Sequence, residues 1–181
     1  MNRAGTVEGD ERLRLFLALE LPDDVSAALG AWSARHLEGG RRVEGFHVTL
    51  AFLGPRPRSE LDSILATLRE VANETGPFEL EPLRYRETRS VGMLVLGDKS
   101  GAATRTAVDL QTRLERLGVY RRETRPWLPH VTVLRFKERP FLDPPLPAVG
   151  LFAPSGAAAF LSRLRPTGAH YEVLESYPFP P

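Results

Sequence analysis

Apolar and polar residues nearly alternate along residues 12–21 (RLRLFLALEL), and Pro22 bounds the run, so the pattern predicts a largely buried strand. Pro22-Asp23-Asp24 then opens a helix whose acidic residues suit a first turn. That helix is expected to reach about Leu37 and to stop at Gly39-Gly40. Residues 46–53 (FHVTLAFL) are rich in β-branched and aromatic side chains, and Gly54-Pro55 is expected to end this second strand. Ser59 is placed to cap a helix running to about Asn73, with Leu61, Ile64, Leu65 and Leu68 at helical spacing. Strands are predicted near 78–88 and 91–96, then an amphipathic helix over 101–117 closed by Gly118. Residues 130–136 (HVTVLRF) repeat the composition of the earlier strand, and the four prolines within 140–147 predict an irregular connection. Residues 157–164 are ambiguous, because alanines favour helix while Gly156 and Pro166 bracket a strand-length segment. A last strand is predicted over 171–177. This order of elements argues α+β or mixed α/β and excludes an all-α fold.

The two apolar strands carry an internal echo half a chain apart. His47-Val48-Thr49 and His130-Val131-Thr132 share the pattern His-x-Thr. Side chains alternate along a strand, so each histidine shares a face with its threonine while the valine turns to the other face. A lone His-x-Thr is ordinary in a strand, but two copies in matched contexts, among only four histidines, point to function. Two such strands facing one groove supply two imidazoles and two hydroxyls. That set suits opening of a cyclic phosphodiester: one imidazole takes a proton from water and the other protonates the departing oxygen. The threonine hydroxyls can donate to non-bridging phosphate oxygens. His36, near a helix end, and His170, in a loop before the last strand, are expected to be structural or solvent-facing.

Composition narrows the alternatives. Absence of cysteine excludes disulfides, thiolate metal sites and cysteine nucleophiles. Neither histidine motif has the His-Glu-x-x-His spacing of a zinc helix, and no Gly-x-Ser-x-Gly elbow occurs, so neither a metal nor another cofactor is expected. The net charge of +1 makes any attraction for phosphate local, although 22 of the 24 cationic side chains are arginine. No secretory signal and no apolar run of membrane-spanning length is legible, so a cytoplasmic protein off the membrane is expected. The expected organisation is a flexible tail over 1–11 and a single domain over 12–181, acting as a monomer with no obligate protein partner. Arg121, Arg122 and Arg125 form either a solvated loop or a path for an RNA backbone.

With these residues in hand, the chain resembles the 2H phosphoesterase superfamily, and within it the bacterial and archaeal RNA 2′,3′-cyclic phosphodiesterases, historically called 2′-5′ RNA ligases. The resemblance rests on Arg14-Leu15-Phe16-Leu17-Ala18, the segment from His47 to Gly54, Pro129-His130-Val131-Thr132 with Arg135, Phe160-Leu161-Ser162-Arg163-Leu164, Gly168-Ala169 and Tyr171. It implies two pseudo-symmetric lobes, each a small antiparallel sheet flanked by helices, around a central groove, and it makes 157–164 a strand. It also implies His47 as proton donor, His130 as proton acceptor, Thr49 and Thr132 beside them, and Arg135 as a contact to phosphate or base. The implied partners are RNA ends or short oligonucleotides carrying a 2′,3′-cyclic phosphate, hydrolysed to 2′-phosphomonoesters. Reverse joining to a 2′-5′ linkage, or RNA binding without catalysis, are the alternatives. Phe52 and Arg135 lie five residues beyond their histidines, an offset that puts them on the opposite face unless a bulge intervenes. For Phe52 both core packing and base stacking stay open. Val43-Glu44-Gly45-Phe46 departs from the Pro-Glu-Asn-Leu-like approach more usual in the family.

Overall fold

The computed structural model of the chain describes residues 11–181, so all of the expected tail except Glu11 lies outside the described residues. Glu11 is tied down, its carbonyl accepting from the Arg58 amide at 2.8 Å. The order is β1 (Arg12–Glu20), α1 (Asp23–His36), β2 (Arg41–Arg42), β3 (His47–Pro57), a 3-10 turn (Arg58–Glu60), α2 (Leu61–Glu74), β4 (Glu81–Glu87), β5 (Val91–Gly97), α3 (Ala102–Arg116), β6 (His130–Arg135), β7 (Gly156–Arg165) and β8 (Gly168–Pro178). The strands form one antiparallel sheet in the order β4-β5-β6-β3-β1-β7-β8, with β2 also on β6.

The sheet is nearly two. β3 and β6 meet at one residue pair, Val48 with Val131. On either side of it the backbone finds other partners. The Thr49 carbonyl accepts from the Trp127 indole at 2.9 Å, and the Leu50 carbonyl from the buried Gln111 amide at 2.8 Å. The Val133 carbonyl accepts from the Val43 amide at 3.0 Å. Buried carbonyls must be paired, and here side-chain and loop donors replace a ladder, letting two half-sheets diverge from a common seam. One lobe is β3-β1-β7-β8 and the other β4-β5-β6 with β2, the bilobal arrangement expected.

Amphipathic α2 and α3 lie against each other, α2 over β7 and β8 and α3 over β3. Ile64 and Leu68 from α2, Leu110 and Leu114 from α3, and Leu15, Leu17 and Leu19 from β1 are fully buried together. Each such side chain contributes about 1.5–3 kcal/mol.

Three boundaries differ from the sequence reading. Gly54-Pro55 does not end β3, because Gly54 takes a positive φ of 68° where the register shifts and pairing with β1 continues to Pro57. Pro55 is tolerated because this end of β3 pairs with β1 alone, which leaves its other edge without a ladder to donate to. Ser59 lies inside the 3-10 turn, and Glu60 holds the N-cap position of α2. His170 belongs to β8, paired with Arg163 and exposed, because β7 and β8 form a hairpin that turns over Pro166 and Thr167 alone. The ambiguous alanines form β7, between β1 and β8, where pairing on both edges overrides helix propensity.

The irregular 140–147 connection, which carries the chain from one lobe to the other, is held at two points. The Trp32 indole donates to the Pro145 carbonyl at 2.7 Å. The Glu87 carboxylate, its side chain 2% exposed, accepts from the Leu142 amide at 2.8 Å, the Phe141 amide at 3.0 Å, Arg139 Nε at 3.0 Å and the Tyr85 hydroxyl at 3.1 Å. Burial alone would raise the Glu87 pKa; the four donors overcome it and hold the carboxyl below its ordinary value. A depressed carboxyl contributes stability that is complete above its unfolded pKa, about 4.3, and is lost as pH falls through the folded value. Glu87→Gln should therefore cost about 2–4 kcal/mol at neutral pH and flatten the acid side of the stability curve, as read by denaturant unfolding at stepped pH. Equal midpoints for both proteins across the pH series would show that the clasp carries no stability.

Candidate active site

Two bulges at equivalent positions build the site. Where β1 pairs with β3 the register slips between Leu17 and Ala18, leaving Leu50 as the extra residue. Where β5 pairs with β6 it slips between Gly92 and Met93, leaving Val133. In both strands the histidine and threonine are half-buried, the next two residues are buried together, and the fifth after histidine is exposed. The bulge resets the alternation. It returns Phe52, 48% exposed, and Arg135 to the face of the histidines, so the groove placement of Phe52 is found and its packing into the core is not.

A cavity of about 290 Å³ opens on that face, lined by His47, Thr49, Phe52, Thr132 and Arg135 among others. His130 is not among the lining residues, although its charge acts on His47. Continuing the Val48–Val131 register sets His47 across from Thr132 and Thr49 across from His130. The two histidines therefore take diagonal positions about the Val48–Val131 pair, which in a regular ladder lie about 7–8 Å apart.

Both rings are held alike. His47 Nδ1 contacts the Gly45 carbonyl at 2.9 Å and His130 Nδ1 the Leu128 carbonyl at 2.8 Å. A carbonyl only accepts, so Nδ1 carries the proton in each, and Nε2 is left for proton exchange. The Gly45 carbonyl owes its position to a backbone at φ 72°, so the unusual Val43-Glu44-Gly45-Phe46 approach directly orients a histidine.

The surroundings of His47 are aromatic. Its ring centre lies 4.8 Å from Phe16, 5.5 Å from Phe160 and 5.4 Å edge-on from Tyr171. Burial holds the His47 imidazole below the ordinary histidine pKa. The Gly45 hydrogen bond works the other way, and the nearby Arg135 and His130 charges push it down further.

Some site residues were not singled out from sequence. Arg14 lines the cavity, with its guanidinium 4.8 Å from the Phe52 ring centre and its Nε buried without a partner. Its signal was a charge within the apolar strand β1, at the same parity as Phe16. Tyr171 and Phe16 also line the wall and gave no signal apart from the resemblance. The Arg121, Arg122 and Arg125 group lines neither of the two cavities found. Arg122 bonds Thr112 at 2.6 Å and pairs with Glu115, and Arg125 pairs with Glu123 at 2.5 Å. Among the described residues no three histidine, aspartate or glutamate side chains gather as a metal site, and no helix is long and apolar enough to cross a membrane.

A family model described as the 2′-5′ RNA ligase superfamily matches residues 21–167. The chain belongs to this superfamily. An RNA 2′,3′-cyclic phosphodiesterase of Thermus thermophilus is 31% identical over 184 residues, covering 91% of this chain and 89% of the relative. The RNA 2′,3′-cyclic phosphodiesterase of Escherichia coli is 29% identical over 140 residues, covering 75% of this chain and 78% of that one. Among solved structures, TT0787 of T. thermophilus superposes with a TM-score of 0.78 at 30% identity, covering 92% of this chain and 98% of the other. E. coli LigT in its apo form gives 0.78 at 24% identity, covering 93% and 98%, a likeness of fold. The superfamily fold is thus the one seen here, a curled antiparallel sheet with helices outside.

The His47 environment has a measurable consequence. The imidazole should titrate below the ordinary value near 6.5 in the free protein. Removing one depressing charge by Arg135→Gln should move it upward, and saturating inorganic phosphate should do the same. Imidazole nitrogen–proton correlation spectra recorded against pH read both shifts. A His47 midpoint unmoved by either change would contradict the electrostatic account.

Proposed function

We propose that the protein hydrolyses RNA 2′,3′-cyclic phosphate ends to 2′-phosphomonoesters by acid–base catalysis between His47 and His130. The observation that carries this reading is the matched anchoring of the two imidazoles, each fixed through Nδ1 with Nε2 left for proton exchange. Membership of the superfamily and two relatives named as RNA 2′,3′-cyclic phosphodiesterases support the substrate class.

In the proposed step, Nε2 of His130 takes a proton from water as the water oxygen bonds to phosphorus in line with O3′. The P–O3′ bond breaks, and Nε2–H of His47 delivers its proton to O3′. The product carries a 2′-phosphate and a free 3′-hydroxyl, and solvent restores the two protonation states. Thr49 and Thr132 donate hydroxyls to the non-bridging oxygens, and Arg135 balances the charge that accumulates there. A terminal base stacks on the exposed ring of Phe52. Burial and neighbouring charge depress the His47 pKa in the free protein, so its donor role depends on substrate to load its proton. The phosphodiester anion itself supplies the countercharge that keeps His47 protonated when substrate is bound. With a 5′-hydroxyl as the nucleophile in place of water, the same groups in the same roles form a 2′-5′ linkage as P–O3′ breaks, in keeping with the superfamily's description.

His47→Ala and His130→Ala should each lower turnover of a short cyclic-ended RNA by about 10²–10⁴-fold while leaving thermal unfolding near that of the parent. Activity of the parent is expected to persist in excess chelator. Near-parental activity in either single variant would refute the two-histidine step.

Product analysis tests the order of roles separately. With His47 beside O3′, the end groups should be 2′-phosphates, resistant to an enzyme specific for 3′-phosphates and distinguishable by phosphorus NMR. Mainly 3′-phosphate ends would reverse the roles even with both histidines essential.

A further inference from the structure

A second cavity of about 410 Å³ adjoins the groove. Arg41, Val43, Arg135, Ala169 and Tyr171 line both, so the two are continuous. The outer cavity adds Arg42, Arg165 and His170, with Glu44 its one carboxylate. Several arginines elsewhere are matched with acids, such as Arg113 with Glu70, Glu74 and Asp109, Arg139 with Glu87, and Arg163 with Glu172. Among the described residues, no ion pair engages Arg41, Arg42, Arg135 or Arg165.

The concentration of charge is built by the backbone. Arg41 and Arg135 are direct cross-strand partners of β2 and β6, an arrangement in which like charges repel. Gly40 permits it, because a Cβ there would lie 2.5 Å from the Arg135 carbonyl oxygen, so only glycine brings β2 this close. Across the cavity the Arg41 guanidinium rests against Gly168, where a Cβ would lie 2.7 Å from its central carbon. Gly168 closes the β7–β8 turn opposite Arg165, which brings a third guanidinium to the same space. Exposed arginines converging beside a reaction groove offer an anion several charged donors at once. Arginine's planar fork makes phosphate the matching one.

We propose that the outer cavity binds the 5′-phosphate of the terminal nucleotide, the phosphate that links it to the rest of an RNA chain. The inference rests on the cyclic phosphate occupying the groove. It makes an RNA end, rather than a free nucleoside cyclic phosphate, the substrate to which the protein is matched.

Equilibrium binding tests this without turnover. Adenosine 2′,5′-bisphosphate should bind roughly ten- to a hundred-fold more tightly than adenosine 2′-monophosphate by titration calorimetry, the range supplied by charge-assisted hydrogen bonds. Arg42→Gln/Arg165→Gln, changing exposed residues that line only the outer cavity, should remove most of that preference and leave affinity for the monophosphate unchanged. The dependence of bisphosphate affinity on salt should also become shallower in the double variant. Equal binding of the two nucleotides by the parent, or a preference surviving in the double variant, would overturn the subsite. Turnover of adenosine 2′,3′-cyclic phosphate with and without a 5′-phosphate separates the two readings. If neither is hydrolysed while the bisphosphate preference stands, the catalytic assignment fails and the subsite remains. If both are hydrolysed equally and the binding preference is absent, the subsite fails and catalysis remains.

Discussion

The structure turns on one backbone pairing, Val48 with Val131. A full ladder between β3 and β6 would flatten the two half-sheets into one surface and close the groove. No pairing would let the lobes drift and separate the imidazoles. A single pair, with the flanking carbonyls of Thr49, Leu50 and Val133 satisfied by Trp127, Gln111 and the Val43 amide, fixes the register while leaving the sheet split. Those donors come from the loop before β6, from α3 and from the segment after β2. The helix layer and the connections therefore maintain the opening, and a side chain as far from the groove as Gln111 supports its geometry.

The two strands obey the same rule because they face the same conflict. Each has to bury apolar residues on one face and offer a fifth residue, Phe52 or Arg135, on the other. Regular alternation forbids that, and for Arg135 it would drive an unpaired charge into the core, at a cost of several kcal/mol. An extra residue at Leu50 and at Val133 resolves both cases. The repeated pattern of half-buried, buried, half-buried, buried, buried, exposed is the structural counterpart of the echo between the two His-x-Thr segments.

What the sequence could reveal divides along the range of the interactions. Strands and helices were legible because their periodicity is local, and the two histidines were legible because so few histidines occur and two share one context. The bulges were legible only as a need, from the odd offset of Phe52 and Arg135, and their positions depended on register with β1 and β5. The end of β3 was misplaced because Gly54-Pro55 reads locally as a terminator, whereas pairing to β1 carries the strand across it. The arginines near the groove were the least legible. Arg121 and Arg122 are as adjacent in sequence as Arg41 and Arg42, but only the latter pair reaches Arg135, through a two-residue strand that periodicity cannot detect.

A net charge of +1 conceals a local concentration of arginines. On the helices Arg113 is matched to Glu70, Glu74 and Asp109, and exposed pairs of this kind contribute little beyond local order. Around the groove the arginines are left without carboxylates, beside an imidazole whose proton affinity burial and their own charge depress. An anion entering this space meets both effects. It relieves the repulsion between Arg41 and Arg135, and it raises the proton affinity of His47. Linkage makes the second effect reciprocal: if the anion favours the imidazolium, protonation of His47 must strengthen binding of the anion by the same factor. In the proposed reaction, the repulsion among these arginines thus couples recognition of the phosphate to loading of the proton on His47.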